Sequence, residues 1–234
     1  MAKYNTVFFD LDGTVIDSGE GVSNSVLYAL KKFGINETKE KALKFIGPPL
    51  AHSFKEFYGF DDEKATLGIK IYREYYRERG IFECYVYEGI ESLLKGLKTN
   101  GYKVVLCTSK PEEYAHKILN HFDIMKYFDF ACGATMDEKT RATKDEVMKY
   151  AFETSGAKKE STIMVGDRMF DINSANKFGI DSIGVTFGYG SREELENAGA
   201  TYVFDSANEI EKLLIWKNRE EKSAWFFFLT ILSL

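Results

Sequence analysis

Six short apolar runs organise this chain, at residues 6–9, 104–107, 128–132, 162–165, 182–185 and 202–204. Several end in Gly, Asp, Ser or Thr. Between them apolar residues recur at helical spacing, over 93–97, 111–122 and 147–152. Near-continuous apolar strands separated by helices belong to sheets covered on both faces, and such sheets are parallel. The expected fold class is therefore α/β, a parallel sheet flanked by helices.

The stretch 18–85 breaks this alternation. Val22, Val26, Leu27, Leu30, Leu43, Ile69, Ile71, Tyr72, Tyr75 and Tyr76 follow helical spacing, with no convincing strand. That is far more chain than one crossover helix requires, so a separate helical subdomain is expected there. The expected organisation is a core of 1–17 and 86–216, a helical insertion at 18–85, and an atypical tail at 217–234. The last eleven residues, AWFFFLTILSL, are apolar and uncharged but too short for a span of ~20 residues. They pack on the protein, touch a membrane or partner, or carry no role.

A chain of 234 residues with 44% hydrophobic content can bury a real core. Its net charge is -5, and no Lys/Arg cluster is dense enough for a nucleic-acid footprint. Three widely spaced cysteines without C-x-x-C suggest reduced thiols rather than disulfides or zinc ligands. The N-terminus is expected to enter a strand directly, without a signal peptide. A cytoplasmic monomer or homodimer is expected, with no membrane contact unless the tail docks.

The chemistry concentrates where strands should end. Asp10-Leu11-Asp12-Gly13-Thr14 follows Val7-Phe8-Phe9. Two adjacent carboxylates repel and raise each other's pKa, so a site that holds both ionised usually supplies a cation. At the carboxyl end of a parallel strand, where α/β sheets bind ligands, the pair reads as a metal-dependent centre. The plainer reading is an Asp-Gly turn. Val104–Cys107 as a strand would run into Thr108-Ser109-Lys110-Pro111. Ser109 with Glu112 fits a capping box, and a helix N-terminus also binds anions; capping leaves Thr108 unexplained. Thr143 to Glu146 forms a second capping box, with Lys144 in the first turn. A cation there opposes the helix dipole at a cost of roughly 0.3–1 kcal/mol, unless it is solvated or faces a bound anion. Asp167 and Asp171, just past Gly166, would share a face of a helical turn, or simply favour its N-terminus. The four aspartates suit a hard divalent cation, Mg2+ above all.

These motifs, in this order over about residues 4–206, resemble the haloacid dehalogenase superfamily of phosphohydrolases with a helical cap between the first two motifs. The resemblance implies a Rossmann-like core and a mobile cap. It implies Asp10 as nucleophile and Asp12 as acid and base. Thr108, Ser109 and Lys144 would bind the substrate's phosphoryl group. Mg2+ would be held by Asp10, the Asp12 carbonyl and Asp167, with Asp171 in support. Dehalogenases of the superfamily lack the equivalent of Asp12. Its sugar mutases carry a histidine where this chain has Val22. Ile46-Gly47-Pro48-Pro49-Leu50 resembles the cap loop of phosphoglycolate phosphatases, and is otherwise a rigid turn. Tyr72, Tyr75 and Tyr76 read as cap packing or a substrate wall, and Lys110 and Arg141 as candidate extra phosphate contacts. The expected activity is Mg2+-dependent hydrolysis of a small phosphomonoester, phosphoglycolate first and a nucleoside 5′-monophosphate next. The rival readings are a phosphomutase and a non-catalytic phosphate-binding regulatory protein.

Overall fold

The structure is a computed structural model that describes residues 3–137 and 139–216. The elements in chain order are β1 (Thr6–Phe9), β2 (Ile16–Asp17), α1 (Gly19–Lys32), α2 (Lys39–Leu43), α3 (Leu50–Tyr58), α4 (Asp62–Glu78), β3 (Tyr85–Val86), α5 (Ile90–Thr99), β4 (Lys103–Pro111), α6 (Glu112–His121), β5 (Phe130–Ala134), α7 (Lys144–Ser155), β6 (Thr162–Gly166), α8 (Met169–Phe178), β7 (Asp181–Val185), α9 (Arg192–Asn197), β8 (Tyr202–Phe204) and α10 (Ala207–Glu211).

Six strands form one parallel sheet in the order β5-β4-β1-β6-β7-β8. The period-two alternation of strand side chains sorts the core into two layers. Val7, Phe9, Val104, Leu106, Ile163 and Val165 face one way, with Leu93, Leu94, Leu97 and Ile118 of α5 and α6. Phe8, Val105, Cys107 and Met164 face the other, against Val147, Met148 and Ala151 of α7. All ten of the strand residues named here are fully buried, as a sheet covered on both faces demands. The strand order reverses at β1, which lies between β4 and β6. The carboxyl edge at such a reversal is where open α/β sheets bind ligands.

Between β2 and β3 the chain forms four helices. α4 is capped by Asp61, whose side chain accepts from the Lys64 N–H at 2.8 Å, and α3 is ended by Gly59 with φ +64°, a conformation that suits glycine. Phe45, Phe54 and Phe60 form the aromatic centre of this unit, with rings 5.0 and 5.6 Å apart in sequence. Its root is a two-stranded antiparallel pair, Ile16 opposite Val86 and Asp17 opposite Tyr85. Both strands are two residues long, below what hydrophobic periodicity detects.

The third sheet strand covers 130–134 rather than 128–132, because Phe128 ends a tight helical turn. β4 continues through Ser109 to Pro111, and α6 begins only at Glu112. Ser109 is therefore not an N-cap; Pro111 holds that place without a side-chain hydrogen bond. The expected capping box at Thr143 and Glu146 is present, with bonds of 3.3 and 3.1 Å. The tail 217–234 lies outside the described residues. Among those described, no helix is long and apolar enough to cross a membrane.

Candidate active site

The loop after β1 is wound on one carbonyl. Leu11 C=O accepts from the N–H groups of Thr14, Val15 and Ile16 at 3.3, 2.9 and 3.0 Å. This turns Asp10 and Asp12 toward the carboxyl edge of the sheet. Gly13 has φ +82°, and a Cβ there would lie 2.1 Å from Asp167 Oδ2. Only glycine satisfies both demands.

Lys144 is the first residue of α7, yet its side chain is 6% exposed. The ammonium lies 2.6 Å from Asp10 Oδ1, 2.6 Å from Asp171 Oδ1 and 2.7 Å from the Cys107 carbonyl. Its three N–H donors thus meet three acceptors. Burial works against its charge, but the two carboxylates hold it well above an ordinary lysine. The solvated reading of Lys144 is excluded by this geometry. Burial also raises the Asp10 carboxyl to about 6, against the pull of Lys144.

Asp167 is fully buried. It accepts from the Tyr189 N–H at 2.8 Å and from the Thr14 hydroxyl at 3.3 Å. Among the described residues no cationic side chain forms an ion pair with it. Burial, then the charges of Asp171 and Asp10, push it well above the usual carboxylate range. Asp171 enters from the first turn of α8 and accepts from the Arg168 N–H at 3.2 Å. Asp167 precedes that helix, which starts at Met169. The two therefore converge through a strand-to-helix turn rather than by sharing a helical face.

Carboxylate oxygens of Asp10, Asp167 and Asp171 all lie within 4.8 Å of one another. A buried carboxylate with no paired cation, beside two more, is a donor set for a hard divalent ion. The chemistry of the three residues fits such an ion. Close backbone approach shapes the pocket further: a Cβ on Gly188 would meet the Gly13 carbonyl at 2.2 Å and Asp167 Cβ at 2.4 Å.

The Asp12 side chain stands apart from these three. Lys110 reaches both of its oxygens, at 2.8 and 3.0 Å. Thr108 is buried, and its hydroxyl accepts from the Lys110 N–H at 3.2 Å. Asp10, Asp12, Thr108, Ser109, Lys110, Lys144 and Asp171 line one cavity of about 220 Å3, and Asp167 is not among its lining residues. The four-helix unit supplies the opposite wall, with Val22, Phe45, Ile46, Pro48, Tyr72 and Tyr76. Tyr75 instead turns its hydroxyl to Glu83, at 2.9 Å. Arg141 is not a cavity residue: its guanidinium lies over the Tyr150 ring at 4.0 Å and 3.4 Å from Glu112.

The sequence assigns no role of their own to Thr14, Arg168, Gly188 and Tyr189. Arg168 joins the two halves, donating from Nε to Glu194 and from Nη1 to the Ile46 carbonyl, both at 2.8 Å. Tyr189 does so too: its backbone holds Asp167, while its hydroxyl donates to Asp17 at 2.6 Å. The available signal was Gly188-Tyr189-Gly190 just past a strand end, a place where glycines admit close backbone approach.

Residues 7–185 match the haloacid dehalogenase-like hydrolase family. The crystal structure of a predicted phosphatase from Clostridium acetobutylicum superposes with a TM-score of 0.86 at 48% identity, covering 89% of this chain and 97% of that one. A 5′-nucleotidase of Pseudomonas aeruginosa is 39% identical over 194 residues, 82% of this chain and 87% of its own length. Tyrosine-protein kinase PtkA of Mycobacterium tuberculosis is 35% identical over 202 residues, 86% of this chain and 68% of its own. With the fold, the motif order, the family match and the phosphatase relatives in agreement, the chain belongs to the haloacid dehalogenase-like hydrolases and is a phosphatase of that family.

Proposed function

We propose that this protein is a Mg2+-dependent phosphatase of small phosphomonoesters, working through an Asp10 phosphoryl intermediate. The observation that carries the reading is the position of Asp10. It sits at the mouth of β1, on Lys144, beside two further carboxylates and in the wall of the cavity. Asp10 attacks phosphorus, and the bond to the leaving oxygen breaks. Asp12 gives that oxygen a proton. Water then attacks the phosphoryl group, Asp12 takes the water's proton, and the Asp10 carboxylate is restored. Asp10, Asp167, Asp171 and the Asp12 carbonyl would hold the ion, whose charge offsets repulsion between carboxylate and phosphate. Thr108, Ser109 and Lys144 would hold the phosphoryl oxygens. Residues 18–85 would serve as a lid that excludes water.

The wall of the cavity favours a nucleoside 5′-monophosphate over phosphoglycolate. The lid side is apolar and aromatic apart from Arg73, whose guanidinium donates to the Met136 carbonyl at 3.1 Å. A glycolate carboxylate calls for a cation beyond Lys144, which serves the phosphoryl group, and Lys110, Arg168 and Arg73 are engaged with Asp12, Glu194 and the Met136 carbonyl. The 39% identical nucleotidase supports the same choice. The volume suits a small metabolite rather than a macromolecule. Val22 in the wall offers no proton-transfer group, which argues against a mutase. Three free cysteines support a reducing, cytoplasmic setting.

Phosphate release from a panel of nucleoside 5′-monophosphates, phosphoglycolate and simple alkyl phosphates, with Mg2+ and with EDTA, tests this. Metal-dependent release that is fastest with the nucleotides is expected. Equal or faster release from phosphoglycolate would overturn the substrate choice. Transfer to an acceptor without free phosphate would favour a phosphotransferase.

A further inference from the structure

The second ion pair of the site has no place in the chemistry so far. Lys110 is 6% exposed, and its ammonium grips both oxygens of Asp12. Its backbone is fixed by the Thr108 hydroxyl and by Pro111 next in sequence. From the helical insertion, the Tyr76 ring lies 5.1 Å from the ammonium, within range of a cation–π contact. Tyr76 is itself stacked on Tyr72 at 5.3 Å. A monodentate contact lets a carboxylate rotate. Two contacts from one ammonium fix its plane.

We propose that Lys110 is a positioning residue that holds the Asp12 carboxylate in place to take the proton of the attacking water, with Tyr76 seating the ammonium when the insertion is closed. This rests on the phosphatase reading. In the step concerned, the water oxygen bonds to phosphorus and the Asp10–phosphorus bond breaks. Its electron pair returns to the Asp10 carboxylate, and the water proton passes to Asp12. That proton goes to the leaving oxygen of the next substrate, so Lys110 keeps its charge throughout. The rival role, a direct phosphate contact, would act on substrate binding.

The test compares Lys110→Met, Lys110→Arg and Tyr76→Leu with the unmodified protein. Steady-state rates are measured with p-nitrophenyl phosphate and an alkyl phosphate, and phosphoenzyme is trapped by acid quench. Lys110→Met should lower kcat by about 10–100-fold, a fraction of what acid–base catalysis supplies. KM should not rise, and hydroxylamine-sensitive phosphoenzyme should accumulate with p-nitrophenyl phosphate, whose leaving group needs no proton from Asp12. Lys110→Arg should recover most of the rate, which keeps the test open if the methionine variant fails to fold. Tyr76→Leu should show the same signature more weakly. A raised KM at unchanged kcat, or unaltered kinetics, would overturn the proposal. Asp10→Asn runs alongside: phosphate release by that variant would defeat the underlying reading, whatever Lys110 does.

Discussion

Replacing Lys144 with methionine removes the only ammonium that Asp10 and Asp171 share among the described residues. Both contacts are 2.6 Å, and all three side chains are nearly buried. Breaking a buried pair by deleting one partner costs about 3–5 kcal/mol, because the surviving charge is left uncompensated. For a chain of this size each kcal/mol lowers Tm by about 2–4 °C, so the drop should be about 6–20 °C in metal-free protein near neutral pH. Exposed Lys149, 3.9 Å from Glu153, is the control, since such pairs contribute about 0–1 kcal/mol. Thermal denaturation followed by circular dichroism reads both variants. The Lys144 deficit should shrink in acid, where the aspartates are protonated, and with Mg2+, which supplies the missing positive charge. A Lys144→Met protein that melts as the Lys149→Met control does, at every pH, would refute the electrostatic account of the site.

Gly13→Ala places a methyl 2.1 Å from Asp167 Oδ2 at a φ of +82°; it should abolish most turnover and weaken Mg2+ binding, read by calorimetric titration. The pH dependence of stability follows from Asp10, whose folded-state value of about 6 exceeds its unfolded value of ~3.9. A raised carboxyl contributes stability that is present below the unfolded pKa and lost as pH rises through the folded one. Metal-free protein should therefore lose stability from this group between about pH 4 and 6. Added Mg2+ should raise Tm more at neutral pH than in acid; equal shifts across that window would contradict the assignment.

The sheet was legible because its central strands β1, β4 and β6 carry apolar side chains on both faces, a pattern that burial in a parallel sheet explains. The site was legible in part for the same reason, since Asp10 and Asp167 follow strands whose ends the apolar runs mark, and Thr108 follows such a run although β4 continues past it. What was hidden depended on distance in space. Ser109 looked like a cap because Glu112 lies three residues on, yet β4 runs through it to Pro111. Lys144 alone could have been solvated; only the fold brings it to Asp10, 134 residues away. The Tyr189 contacts to Asp17 and Asp167, and the Lys110 grip on Asp12, join segments with no shared pattern in sequence.

The central claim is that Asp10 carries the phosphoryl group. Phosphate release from a nucleoside 5′-monophosphate is measured with Mg2+ for the unmodified protein and for Asp10→Asn, after both are shown to be folded. The account predicts metal-dependent release by the first and none above background by the second. Comparable release by both would contradict it.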